Sequence, residues 1–492
     1  MNIKQAKEEL KHTIQAYMQK DRFGIYRMDA VRQRPVLLMG PPGIGKTAIM
    51  EQIAKECEIG LVSYTITHHT RQSAIGLPFI EKKEYGGREY SITEYTMSEI
   101  IASVYDRMES TGCKEGILFI DEINCVSETL APTMLQFLQC KTFGNHKVPE
   151  GWVIVAAGNP PEYNKSVRDF DIVTLDRVKK IDVEEDYSIW KEYAYERSIH
   201  PAILAYLEIR KEDFYRIETT VEGKEFVTAR GWEDLSQMMH LYEELGYPVT
   251  EDVIIQYVQH KRIAKDFANY LDLYDKYQTI YKIDDILAGK IQKSAVQSLQ
   301  KAEFDEKISL ISLLLTRLAA DIRSALEQDA FTTELFQRLK EVQAEEDIRV
   351  VIKRQKMKTE QMKERDMLDA ETEMKQRKLC EQLEAYVPIM DETGFDGVKA
   401  EFGKQVQIRK SMLDSCGLEL THAFVFLEEA FGEGQELVWF VSELTANYYT
   451  AKYIGRFGCE KYFYYNKELL LTEKEMEIRR EIDEVKDLLK FM

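Results

Sequence analysis

Between residues 34 and 185 two hydrophobic rhythms alternate along the chain. Short β-rich runs, RPVLLM (34–39), IGLVSYTI (59–66), GILFI (116–120), WVIVAA (152–157) and KKIDV (179–183), are separated by stretches with helical spacing at Thr47–Cys57, Ser98–Met108 and Ser127–Leu138. That alternation predicts an α/β core, a parallel sheet with helices on both faces. Residues 1–20 form a separate amphipathic pattern, with Ile3, Leu10, Ile14 and Tyr17 on its apolar side. From 186 to 275 the spacing is mostly helical. Lys290 to Val387 holds no glycine or proline, so long helices are expected there. Phe304, Ile308, Ile311, Leu315, Leu318, Ile322 and Ala325 recur at steps of four and three, a seam for helix-on-helix packing. Glu341 to Tyr386 carries 22 charges in 46 residues, 10 basic and 12 acidic, a balance suited to a solvated helix or hairpin. The organisation expected is an N-terminal helical segment (1–33), an α/β core (34–185), a helical lid (186–275) and a mostly α-helical C-terminal region (276–492).

Composition narrows the classes without choosing among them. At 492 residues the chain exceeds a single core. With 44% hydrophobic and 31% charged residues, wholesale disorder is not expected. A net charge of -19 argues against a protein held mainly by phosphate backbones, so nucleic acid is not an expected partner. No apolar run approaches a membrane span, and the first twenty residues lack the apolar stretch of a signal peptide. The seven cysteines are scattered and never spaced C-x-x-C, which reads as reduced thiols. A soluble, cytoplasmic protein is the expectation.

Chemistry enters at VLLMGPPGIGKTAIM, Val36 to Met50. Gly40-Pro41-Pro42-Gly43-Ile44-Gly45-Lys46-Thr47 fits G-x-x-x-x-G-K-[ST] between an apolar strand and a helix, the setting that a phosphate-binding loop requires. Glycines let successive N–H groups turn inward toward phosphate oxygens, and the helix start adds its dipole. Lys46 would reach the β- and γ-phosphates, and the Thr47 hydroxyl would ligate Mg²⁺. Roughly one or two chains in a hundred of this length would carry the pattern by accident. GILFIDEIN then ends a buried strand in Asp121-Glu122. A carboxylate pair at the carboxyl end of a parallel strand lies where ligands bind such sheets. Asp121 would hold Mg²⁺ and Glu122 would polarise an attacking water; alone, the same pair is an ordinary surface turn.

With these two motifs and those that follow, the sequence resembles the AAA+ ATPases, and within them the MoxR and magnesium-chelatase type, over roughly residues 30 to 275. WVIVAAGNPPEYN looks like that family's next strand, which puts Asn159 in the sensor-1 place, although an Asn-Pro turn would satisfy the same residues. DIVTLDRVKKIDV is similar to the segment carrying the family's arginine finger. The resemblance gives that role to Arg177, with Val178 replacing the family's aromatic, Arg168 nearby as a second candidate, and a surface pair with Asp176 as the plain alternative. VTARGWEDLSQMMHLYEELG resembles the sensor-2 segment. There Arg230 would touch the γ-phosphate, Thr228 would cap the helix, and Trp232, Leu235, Met239 and Leu245 would pack before Gly246 ends it. The resemblance implies ATP and Mg²⁺ as ligands, hydrolysis of ATP, a homo-oligomeric ring of hexamer type, and a protein partner to remodel, often one with a von Willebrand factor A domain. A nucleic-acid-translocating motor and a nucleotide-dependent scaffold or switch stay open as other readings; a GTPase lacks its N-K-x-D motif.

Three features stay outside that frame. His68 and His69 are neighbours on an extended segment and make a poor metal pair. Gly76 to Tyr95 reads as a hairpin turning near Gly86-Gly87, in a region where the related family carries an insertion facing the ring's pore. Val438 to Tyr465 is dense in aromatics, either a helical core with tyrosine rims or a partner-binding face.

Overall fold

The computed structural model describes residues 1–68, 74–163, 170–220, 223–291, 293–345, 347–364 and 370–467. His69 and Arg168 lie outside the described residues. Strands are numbered β1 (Val36–Met39), β2 (Gly60–Thr65), β3 (Pro78–Tyr85), β4 (Arg88–Tyr95), β5 (Gly116–Asp121), β6 (Thr142–Phe143), β7 (His146–Lys147), β8 (Trp152–Gly158), β9 (Lys179–Asp182), β10 (Arg216–Thr220) and β11 (Gly223–Val227). The chain divides into two compact units. The first is Met1–Ile189 with Thr228–Arg230 and Met357–Glu373; the second comprises Trp190–Val227, Gly231–Lys356 and the chain from Met374 on.

In the first unit all five expected strands join one parallel sheet, ordered β2-β5-β8-β1-β9. Alternate residues of each strand serve opposite faces. Leu37, Leu118, Ile120, Ile154 and Ala156 face a core completed by Ile100, Ile101, Val104, Met134, Phe137 and Leu138. Val36, Leu38, Ile117, Phe119, Val153, Val155 and Ala157 face the other, filled by Ile49, Met50 and Ile53 together with Ala6, Leu10 and Ile14 of the N-terminal helix Ile3–Tyr17. Both faces are covered at the sheet's centre, which is why β1, β5 and β8 read as nearly unbroken apolar runs. Burying each Val, Leu or Ile side chain contributes about 1.5–3 kcal/mol.

Helix starts follow local chemistry. Ser98 caps Glu99–Thr111, its hydroxyl accepting from the Ile100 amide. The next helix runs Ala131–Cys140, four residues later than its apolar spacing suggests. Ser127 to Leu130 form a turn instead, and Pro132, which has no N–H to give, sits in the first helical turn. The hairpin β3–β4 forms as expected, paired Pro78↔Tyr95 through Tyr85↔Arg88, with Phe79, Ile80, Tyr85 and Tyr90 exposed.

The second unit is helical apart from one antiparallel hairpin, β10–β11, which the spacing between 186 and 275 does not predict. The helix Ala229–Leu245 buries Trp232, Leu235 and Met239, whereas Leu245, at its last turn, is exposed. The helix Phe304–Glu345 runs for 42 residues. Its expected seam is buried from Ile308 to Ala325, but Phe304 is exposed at the helix start. Every residue from Ile308 to Leu315 is buried, so here the helix is enclosed on all sides rather than along one stripe. Farther along, Leu335, Leu339 and Val342 pack with Ile348, Val351 and Ile352 of the helix Ile348–Glu364 and with Leu379, Leu383, Tyr386 and Val398 of the helical segment Ala370–Phe431. That last segment contains Pro388 and leaves helical geometry at Gly394. In Val438 to Tyr465, Phe440, Val441, Leu444, Tyr453, Ile454 and Tyr462 are buried while Val438, Tyr448, Phe463 and Tyr464 are exposed. No helix among the described residues is long and apolar enough to cross a membrane, and none of the seven cysteines forms a disulfide.

Asp329, in the helix Phe304–Glu345, ties it to the segment Ala370–Phe431 and to the helix Tyr448–Phe457. Its side chain is 3% exposed, and its two oxygens accept from Arg409 Nε at 2.6 Å and Arg456 Nη1 at 2.5 Å. Charged hydrogen bonds of this kind contribute about 1.5–3 kcal/mol each, and both arginines can hydrate once released, so Asp329→Ala should cost about 2–3 kcal/mol in all. Denaturant unfolding with an unchanged midpoint would contradict that estimate.

Candidate active site

Sheet order explains why motifs distant in sequence converge. β8 lies between β1 and β5, so the carboxyl ends of three neighbouring strands deliver the Gly40–Thr47 loop, Asn159 and Asp121-Glu122 to one edge. The loop leaves β1 at Met39 and enters the helix Lys46–Cys57. Two of its glycines are obligatory on geometric grounds. A Cβ on Gly40 would stand 2.5 Å from the Val183 carbonyl oxygen. Gly43 has φ +75°, and a Cβ there would lie 3.1 Å from Thr228 and 3.5 Å from the Arg230 Cβ. Thr228–Arg230 belong to the same compact unit as the loop, which brings Arg230, at the start of the helix Ala229–Leu245, beside it.

Lys46 is 8% exposed, and its ammonium donates to the carbonyls of Gly40 (2.9 Å) and Pro41 (2.7 Å) and to Asn159 Oδ1 (2.9 Å). Burial pulls its pKa down to about 8; the Asp121 carboxylate opposes the shift and the Arg230 guanidinium adds to it. Thr47 Oγ1 donates to Asp121 Oδ2 at 3.0 Å, while Asp121 Oδ1 accepts the Glu122 amide at 2.9 Å. Glu122 adopts φ 56°, ψ 35°, a left-handed conformation uncommon for a residue with a side chain, and from it the chain turns sharply into Ile123–Cys125.

One participant has no place in the sequence reading. Asn124 is 2% exposed and donates its amide to the Asn159 carbonyl at 2.7 Å, joining the turn after β5 to the end of β8. Its Oδ1 is buried and has no hydrogen-bond partner among the described residues. The signal was present in IDEIN, a third polar residue directly behind the carboxylates.

Lys46, Thr47, Asp121, Asn159 and Arg230 therefore gather at the loop, with Glu122 following Asp121. Arg177 does not join them. It is exposed and donates to Gln139 Oε1 rather than pairing with Asp176. Val178 is buried in the sheet's core cluster.

Residues 36–174 match the family described as "ATPase family associated with various cellular activities (AAA)". The segment is an AAA domain. Its match ends just before Arg177 and covers β1 through β8, every strand of the sheet except β9. A solved structure of a protein from Cytophaga hutchinsonii, provisionally named an ATPase, is similar at 15% identity, covering 54% of this chain and 81% of its own, with a TM-score of 0.22. At that score the likeness adds nothing to the reading of this chain. No curated protein matches. The AAA domain holds a hydroxyl and a carboxylate oxygen 3.0 Å apart beside a buried ammonium and a loop that tolerates no Cβ at Gly40. Hard oxygen donors of that kind suit Mg²⁺, and the loop suits a phosphate chain.

Proposed function

We propose that this protein hydrolyses ATP within a homo-oligomeric ring, a hexamer of the MoxR and magnesium-chelatase type that its sequence resembles, and that it uses the cycle to remodel a protein partner. A partner with a von Willebrand factor A domain fits that resemblance. The observation that carries the reading is the convergence of Lys46, Thr47, Asp121, Asn159 and Arg230 on one loop while Arg177 stands apart, exposed.

In this reading Gly40 to Thr47 hold the triphosphate, and Lys46 exchanges its carbonyl contacts for the β- and γ-phosphate oxygens. Thr47 and Asp121 would hold Mg²⁺, which neutralises charge on those oxygens. The attacking water forms a bond to the γ-phosphorus as the bond to the bridging oxygen of ADP breaks. Glu122 holds the departing proton of that water, and Asn159 fixes its position. Arg230 balances charge on the γ-phosphate from the same subunit. Arg177 would act on the nucleotide of the neighbouring subunit, making hydrolysis depend on assembly. Two apolar residues beside it, Ile172 and Val173, are 84% and 58% exposed, as a surface covered by another subunit would be.

Phosphate release with Mg²⁺ and ATP, followed across a dilution series with mass measured in parallel by light scattering, tests this. Turnover per subunit should fall as the assembly dissociates. Turnover that stays constant while the assembly comes apart, or no phosphate release at all, would contradict the proposal.

A further inference from the structure

The second unit contains a cluster that ATP chemistry does not use. His200 precedes the helix Pro201–Ile209, and His240 and Glu243 are three residues apart on one face of the helix Ala229–Leu245. His200 is almost fully buried, with its Nε2 2.8 Å from Glu243 Oε1. His240 Nδ1 stands 4.0 Å from Glu243 Oε2. One potential ligand atom from each of the three residues lies within 4.8 Å of the other two. All three residues line a cavity of about 720 Å³ that could admit water or a small ligand.

We infer that His200, His240 and Glu243 form a binding site for a divalent transition metal of the zinc class. Zinc bonds to imidazole nitrogen and carboxylate oxygen at about 2.0–2.2 Å, and tetrahedral geometry then sets the ligands roughly 3.3 Å apart. The nitrogens stand 2.8 Å from one oxygen of Glu243 and 4.0 Å from the other, and one ligand atom of each residue lies within 4.8 Å of the other two, so side-chain movements of up to about 1.5 Å bring the ligands into place. Two imidazoles with one carboxylate favour zinc over magnesium or calcium, which prefer all-oxygen shells. His240 is already oriented as a ligand. Its Nε2 lies 3.0 Å from the Ser198 carbonyl, and donation there leaves the Nδ1 lone pair on the side of Glu243. His200 must change more. Its Nδ1 accepts the Ala202 amide at 3.2 Å, so Nε2 carries the proton that it shares with Glu243. Zinc at Nε2 replaces that proton, Nδ1 takes one up, and the Ala202 amide loses its acceptor. This exchange opposes binding and predicts an affinity below that of a fully preorganised site. Water from the cavity completes the coordination.

The test uses the full chain, first stripped with a chelator and then incubated with zinc chloride as the transition metal, with magnesium in excess. After desalting, the parent should retain one zinc per chain. Competition with a chromophoric chelator should show at least tenfold weaker binding for His240→Ala and for Glu243→Gln, two half-exposed positions. In the parent, zinc should also slow hydrogen exchange around residues 198–202 and 236–245, a readout independent of any variant. A parent that retains no zinc, variants that bind as tightly as the parent, or a cobalt-loaded protein with a thiolate charge-transfer band, which would assign the metal to cysteine, would each overturn the inference. None of these outcomes depends on ATP turnover.

Discussion

Replacing Glu122 by Gln should lower the rate of ATP hydrolysis by about 10²–10⁴-fold while leaving ATP bound. The amide matches the carboxylate in shape but cannot take a proton from the attacking water. Glu122 is also not among the side chains that form the loop's own contacts: Lys46 bonds Gly40, Pro41 and Asn159, and Thr47 bonds Asp121. Its removal therefore leaves the phosphate cradle intact. Single-turnover hydrolysis separates the two effects, with chemistry slowed and nucleotide retention prolonged. A Glu122→Gln protein that turns over like the parent would remove Glu122 from the mechanism.

The second large effect concerns Arg177. A trans-acting guanidinium that stabilises transition-state charge is worth about 10³–10⁵ in rate, so Arg177→Ala should abolish most turnover with little change in ATP affinity. Its exposed position, away from the Lys46 cluster of its own chain, gives the diagnostic. Mixing Arg177→Ala subunits with Lys46→Ala subunits places an intact loop opposite an intact arginine at some interfaces. Activity should partly return there. Mixed assemblies that form, shown by mass, yet stay inactive would contradict action in trans.

The centre of the sheet is legible in the sequence because it is covered on both faces, so β1, β5 and β8 are nearly continuous apolar runs, whereas the edge strands β2 and β9 mix polar residues with buried ones such as Val62 and Ile181. The Gly40–Thr47 loop is legible because its geometry demands particular residues, such as Gly40 under the Val183 carbonyl. What periodicity misses has physical causes. β10 and β11 mix Glu218, Lys224 and Glu225 with Ile217 and Phe226, so charge masks the strand alternation. Phe304 and Leu245 continue the apolar spacing of their helices to the ends, where both are exposed among the described residues. Asn124 is invisible to any pattern of apolar residues, since its role depends on a carbonyl 35 positions away. The His200–His240–Glu243 cluster is likewise assembled by folding from segments forty residues apart.

The account stands on nucleotide binding at the loop, and the protonation of Lys46 gives it a direct signature. Burial holds that lysine at a pKa of about 8, below its ordinary 10.5. A bound triphosphate surrounds it with negative charge and raises the pKa again. Between about pH 8 and 10, ATP binding should therefore take up protons, because the bound state holds more of them than the free state. Calorimetric titration with ATP and Mg²⁺ at about pH 9, in buffers of different ionisation enthalpy, should show saturable binding accompanied by net proton uptake, with both lost in Lys46→Ala. The absence of saturable ATP binding by the parent, or binding that survives unaltered in Lys46→Ala, would contradict the account at its base.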